Sequence, residues 1–152
     1  MQKNKILFVC HGNICRSPMA EAICKNKVKE LGVSNLFEID SAAVSNEEIG
    51  NNVYYKTQEV LNNHGIIHFN HYARKMTYDD YLYFDYIFIM DKSNEYYMQD
   101  IVKNDNFNKI KKLGSYLKSP KDIEDPWYSR KFEEVFKQLN EAIDNFLKEV
   151  LP

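Results

Sequence analysis

The sequence predicts an α/β fold, a three-layer α/β/α arrangement with a parallel central sheet and an anion-binding loop after the first strand. Short apolar runs rich in β-branched and aromatic residues, at Ile6–Val9 and Tyr86–Met90, alternate with stretches of helical period. That alternation favours parallel strands covered on both faces. The first run ends in a polar loop that opens directly into a helix, and parallel sheets bind ligands at that carboxyl edge.

Taken in order, Ile6 to Val9 forms a strand buried on both faces, followed by the loop Cys10-His11-Gly12-Asn13-Ile14-Cys15. Ser17 and Pro18 predict the helix start, with the Ser17 hydroxyl as N-cap and Pro18 at the first helical position. Ala20, Ile23, Cys24, Val28 and Leu31 form its inner face, and Gly32 ends it. A second strand runs from Leu36 into the small residues Ser41, Ala42 and Ala43. Ile49 to His64 predicts a helix closed by Gly65, with Val53, Thr57, Val60, Leu61 and His64 inward. His68 to Arg74 is a polar and aromatic connection with room for a short strand. Asp91 to Glu95 opens another helix, Lys109 to Leu113 offers one more strand, and Phe132 to Val150 is a long closing helix.

Composition narrows the function. The 152 residues are 44% apolar, enough for one globular domain over residues 1–152 without disulfide staples. A net charge of -2, with basic residues scattered among acidic ones, argues against nucleic-acid and anionic-membrane partners. No apolar run approaches the ~20 residues of a bilayer span. Met1 to Lys5 is too short a lead for a signal sequence. Three cysteines, all between Cys10 and Cys24, lack zinc spacing and suit a reducing compartment. The expectation is a cytoplasmic protein without cofactor or metal, monomeric, with weak self-association left open.

The chemistry is concentrated at Cys10 to Ser17. A loop folded onto a helix N-terminus turns several N–H groups toward one point, where the helix dipole adds positive charge. Cys10 sits at the floor of this cradle, where the field favours thiolate over thiol. Arg16 supplies a bidentate clamp for an oxyanion. Gly12 and Asn13 are residue types that tolerate a left-handed backbone. A second, detached acid is needed to protonate a leaving oxygen. Asp125, in Glu124-Asp125-Pro126-Trp127-Tyr128, is the candidate, held extended before proline with aromatic neighbours to wall a pocket.

C-H-G-N-I-C-R-S, from Cys10 to Ser17, resembles the signature loop of the low-molecular-weight protein tyrosine phosphatases. Asp125-Pro126-Trp127-Tyr128 is similar to that family's late acid loop, just before its last helix. The likeness extends through Asp40-Ser41-Ala42-Ala43, His64-Gly65, His71 to Arg74, Phe84 to Ile87, Met90-Asp91 and Ser93-Asn94. It implies a sheet of about four strands and hydrolysis of phosphotyrosine in proteins or peptides through a cysteinyl phosphate, without metal. It further implies Cys10, Arg16 and Asp125 as the catalytic set and a Ser17 hydrogen bond to the Cys10 sulfur. Ser41 and His71 would hold Asn13, although His71 reads equally well as an ordinary surface histidine. His11, Gly12, Ile14 and Cys15 complete the loop. Cys15 is either a small buried side chain or a reversible disulfide partner for an oxidised Cys10, and both can hold.

Glu47, with Trp127 and Tyr128, would wall the pocket, and Glu47-Glu48 stand where the family usually has an aromatic or apolar wall. Thioredoxin-coupled arsenate reductases resemble the loop but need two later cysteines, and none follows Cys24. Protein-arginine phosphatases tend to carry threonine where Ile14 stands. A non-cleaving phosphotyrosine reader would be expected to lack Cys10 or Asp125.

Overall fold

The computed structural model of the chain describes residues 2–67 and 70–152. Four parallel strands, β1 (Asn4–Cys10), β2 (Phe37–Ala43), β3 (Tyr86–Ile89) and β4 (Ile110–Lys112), lie in the order β2-β1-β3-β4. Chain order thus reverses direction at β1, and the carboxyl end of the strand at this switch point is where open α/β sheets leave a crevice. Cys10 is its last residue.

Alternation along β1 feeds two cores. Ile6, Phe8 and Cys10 face a core shared with α1 (Arg16–Glu30), α2 (Tyr55–Asn63) and α6 (Phe132–Val150). Leu7 and Val9 face the other, built with α3 (Tyr78–Tyr83) and α4 (Lys92–Met98). In the first core Phe146 meets Phe88, Tyr86 and Tyr116 edge-on, with centroids 4.8, 5.0 and 5.6 Å away. Such pairs add about 0.5–1.5 kcal/mol beyond area burial, so they fix the position of α6 over the sheet. Among the described residues, no helix is long and apolar enough to cross a membrane.

Several boundaries differ from the sequence expectation. Helix α1 begins at Arg16, with Cys15 at the N-cap position, so Ser17 does not cap it and Pro18 is the third helical residue. Proline is harmless there, because the first four N–H groups of a helix lack an intrahelical acceptor. The Ser17 hydroxyl is thereby released to face Cys10. Leu31 is 59% exposed rather than part of the inner face, since it lies beyond the last turn at the C-cap before left-handed Gly32. The helix expected from Ile49 starts only at Tyr55. Gly50 is left-handed, and Gly50 N–H and Asn51 C=O instead bond Ala73 across to the next connection.

No strand forms over the described part of 68–74; the pairing there is the single bridge of Asn52 with Tyr72, while His68 and Phe69 lie outside the described residues. The run Tyr86–Met90 yields a strand only to Ile89, because Met90 N–H turns to the Asn94 side chain. Two short helices add to the expected set. Helix α3 is opened by a capping box of Thr77 and Asp80, and α5 (Pro126–Ser129) is a single turn capped by Asp125.

Candidate active site

Strand β1 delivers Cys10 to the sheet edge and α1 starts six residues later, so His11 to Cys15 must double back over the helix end. The result is a ring of donors around one sulfur. Asn13 N–H lies 3.3 Å, Ser17 N–H 3.4 Å and the Ser17 hydroxyl 3.0 Å from Cys10 Sγ. The sulfur is almost wholly buried at the floor of a cleft of about 190 Å³, whose lining includes the loop from Cys10 to Gly12 and from Ile14 to Arg16.

Asn13 makes the turn possible. Its φ is 60°, a left-handed backbone that asparagine tolerates better than most residues. Gly12, expected to share that role, does not have a positive φ. A side chain there would instead bring Cβ to 3.1 Å from the Glu48 side chain, so glycine serves close approach. The Asn13 amide is held from both ends. Its Nδ2 donates to the hydroxyls of Ser17 at 2.7 Å and Ser41 at 3.0 Å, and its Oδ1 lies 2.8 Å from His71 Nε2. Ser41 in turn donates to buried Glu21 at 2.6 Å. A hydrogen-bonded chain thus runs from Glu21 through Ser41, Asn13 and Ser17 to the Cys10 sulfur. Burial pushes the Glu21 carboxyl above its ordinary range and the His71 ring below its own.

Arg16 is 2% exposed yet charged. Nη1 donates to Asp91 Oδ2 at 2.7 Å and to the Ile123 carbonyl at 2.8 Å, while Nη2 lies 3.5 Å from Asp125 Oδ2. Burial opposes the guanidinium charge, but Cys10, Asp91 and Asp125 outweigh it and raise the pKa. In the sequence Asp91 shows as a helix start and as part of the family-like pair Met90-Asp91, without its link to Arg16. It does cap α4, accepting from Asn94 N–H through Oδ1, and its other oxygen fixes the arginine.

The opposite side of the cleft comes from the late loop. Asp125 is 27% exposed, its Oδ1 accepting from Trp127 N–H at 3.0 Å while Oδ2 faces Arg16. Trp127 and Tyr128, half and largely exposed respectively, line the cleft together with Glu47 and Glu48. Glu47 is turned to His11, 2.9 Å from Nε2, and the His11 ring meets Tyr97 edge-on. Burial, then the nearby charges of Cys10 and Asp125, push the Cys15 thiol up to about 12.

Among the described residues, Glu21, Asp40 and His71 bring ligand atoms within 4.8 Å of one another. Glu21 already bonds Ser41 and Lys25, Asp40 bonds Arg74, and His71 bonds Asn13. The cluster is therefore spent on orienting Asn13. Glu21 and Tyr54 were not singled out from the sequence. Each acts through a contact between segments remote in the chain, for which no local pattern exists.

The sequence model described as low molecular weight phosphotyrosine protein phosphatase matches residues 5–151. A relative bearing that name from Gallus gallus is 43% identical, over 94% of this chain and 93% of its own length. The crystal structure of YfkJ from Bacillus subtilis superposes with a TM-score of 0.93 at 35% identity, covering 99% of this chain and 96% of its own. That of a Drosophila arginine phosphatase superposes at 0.86, with 35% identity and coverage of 97% and 98%. With a family match over nearly its whole length, the chain belongs to the low molecular weight phosphotyrosine protein phosphatase family.

Proposed function

We propose that the protein hydrolyses phosphotyrosine in proteins or peptides in two steps, with Cys10 as nucleophile and Asp125 as general acid and base. The observation that carries this is the set of three donors converging on Cys10 Sγ, with Asp125 across the same cleft beside Arg16. Donors aimed at a sulfur favour its anion, and the Ser17 hydroxyl is placed to give its proton toward it.

In the first step the Cys10 thiolate attacks phosphorus in line, forming the S–P bond as the P–O bond to tyrosine breaks. Arg16 and the loop N–H groups hold the equatorial oxygens, and Asp125 delivers its proton to the departing phenolic oxygen. In the second, the Asp125 carboxylate takes a proton from water as that water attacks phosphorus. The S–P bond breaks, phosphate leaves and the thiolate is regenerated.

The aryl preference rests on Ile14, Trp127 and Tyr128 at the cleft. The free thiols Cys10, Cys15 and Cys24 suit a reducing, cytoplasmic setting, and the substrates would meet a monomer. Release of phosphate from matched phosphotyrosine, phosphoarginine and phosphoserine peptides tests the assignment. Phosphotyrosine should be cleaved at least tenfold faster than either alternative, an ~1.4 kcal/mol difference in transition-state binding. Faster phosphoarginine cleavage would instead favour the activity named for the Drosophila structure.

A further inference from the structure

The single turn α5 carries Asp125 at its start and ends on Arg130, which has a φ of 62°. A left-handed arginine costs energy that glycine would avoid, so its side chain is the feature to explain. Arg130 N–H closes the turn onto the Pro126 carbonyl at 2.9 Å, and Nη1 reaches back to the Trp127 carbonyl at 3.5 Å. The other arm, Nη2, donates to the Tyr54 hydroxyl at 2.9 Å. The guanidinium carbon lies 5.5 Å from the Tyr54 ring centroid and 5.3 Å from that of Phe132. Trp127 packs edge-on against the same Tyr54 ring at 4.9 Å.

Tyr54 is in turn tied to the anion-binding loop, because its backbone N–H donates to the Ile14 carbonyl at 2.8 Å. A continuous strap therefore runs from Ile14 through Tyr54 and Arg130 to α5 and Asp125. Upstream the same segment is pinned at Ile123, whose N–H donates to the Met90 carbonyl at 2.9 Å and whose carbonyl accepts from Arg16 Nη1 at 2.8 Å. Downstream of Asp125, the Arg130–Tyr54 grip supplies the corresponding anchor.

We propose that Arg130 is a positioning residue for the proton-transfer step, gripping Tyr54 so that Asp125 stays over the cleft floor. It rests on Asp125 as the proton donor. Misplacing such a donor slows only the esters that need a proton on the leaving oxygen. The discriminating readout is therefore kcat/KM for two aryl phosphates, phenyl phosphate, whose leaving group needs the proton, and 2,4-dinitrophenyl phosphate, whose leaving group does not.

Arg130→Gly keeps the left-handed turn accessible and removes the side chain with its contacts to Tyr54, the Trp127 carbonyl and Phe132. It should lower kcat/KM for phenyl phosphate about tenfold while leaving the dinitrophenyl ester within about twofold, which also serves as the folding control. Tyr54→Phe should act in the same direction and add nothing in the Arg130→Gly background, as expected of partners in one contact. Asp125→Ala, run alongside, should show the same leaving-group dependence more strongly. An Arg130→Gly protein that cleaves phenyl phosphate normally, or loses both esters equally, overturns the strap while an Asp125→Ala protein behaving as stated leaves the acid assignment standing. An Asp125→Ala protein without leaving-group dependence overturns both.

Discussion

At the level of single residues, the site depends on hydrogen-bond donors turned toward one sulfur. Ser17 illustrates how. Its hydroxyl accepts from Asn13 Nδ2 and lies 3.0 Å from Cys10 Sγ, while the helix start is left to backbone geometry at Cys15. A serine spent as an N-cap would satisfy a helix N–H and leave the sulfur with one donor fewer. Asp125 divides its labour in the same way, with one oxygen capping α5 and the other facing Arg16. Replacing it by alanine should slow phosphotyrosine hydrolysis by about 10²–10⁴ with little change in inhibition by inorganic phosphate, as steady-state kinetics would measure. Cys10, Arg16, Asn13 and Asp125 were legible because they lie in two compact motifs whose residue types carry the chemistry. Glu21 and Tyr54 were not, because each is an ordinary helix or loop residue until a distant segment folds against it, and Asp91 showed as a helix start and a matched position but not as the anchor of Arg16.

At the level of elements, the connection after β4 does more than close the sheet edge. The turn Leu113–Tyr116 packs against α6 and touches the segment that leads to Ile123. A Cβ on Gly114 would fall 1.7 Å from the Lys121 carbonyl oxygen, a backbone atom that cannot swing aside. Gly114→Ala should therefore destabilise the fold by about 1–3 kcal/mol or more, read as a lower urea midpoint. Because the displaced segment carries the Ile123 carbonyl that holds Arg16, activity of the folded fraction should fall as well. The same scale separates what periodicity can and cannot tell. The apolar stripe of α6 and the runs of β1 and β3 are long enough or apolar enough to declare themselves. Ile49 to Tyr54 mimics helical spacing, but Gly50 adopts a positive φ and Gly50 and Asn51 pair with Ala73, so tertiary hydrogen bonds prevail over the local pattern. Helix α3 is only six residues and is marked mainly by its capping box, too brief a signal to outweigh its polar sequence.

At the level of the whole molecule, one parallel sheet sets the two cores and the crevice together. The reversal of strand order at β1 brings Cys10, Asp91 and the loop containing Asp125 to the same edge, although they are spread along the chain. Alternation of strands and helices made the layered arrangement legible, whereas the strand order follows from crossovers that no local pattern records. Burial also shapes how the fold responds to alkali. Cys24 is wholly buried on α1, and that burial pushes its thiol from 9.0 up to about 12. Above the ordinary thiol range the unfolded chain has lost this proton while the folded chain keeps it, so stability falls as pH rises between those values. Cys24→Ala should flatten that decline by up to about 1.4 kcal/mol per pH unit in urea-denaturation series, whatever its effect on absolute stability.

The central claim is that a sulfur at the floor of the cradle forms the bond to phosphorus. Steady-state hydrolysis of a phosphotyrosyl peptide by the Cys10→Ser protein, with binding of inorganic phosphate checked to show the cradle intact, tests it most directly. Turnover should vanish while phosphate binding persists; hydrolysis near the wild-type rate would contradict it.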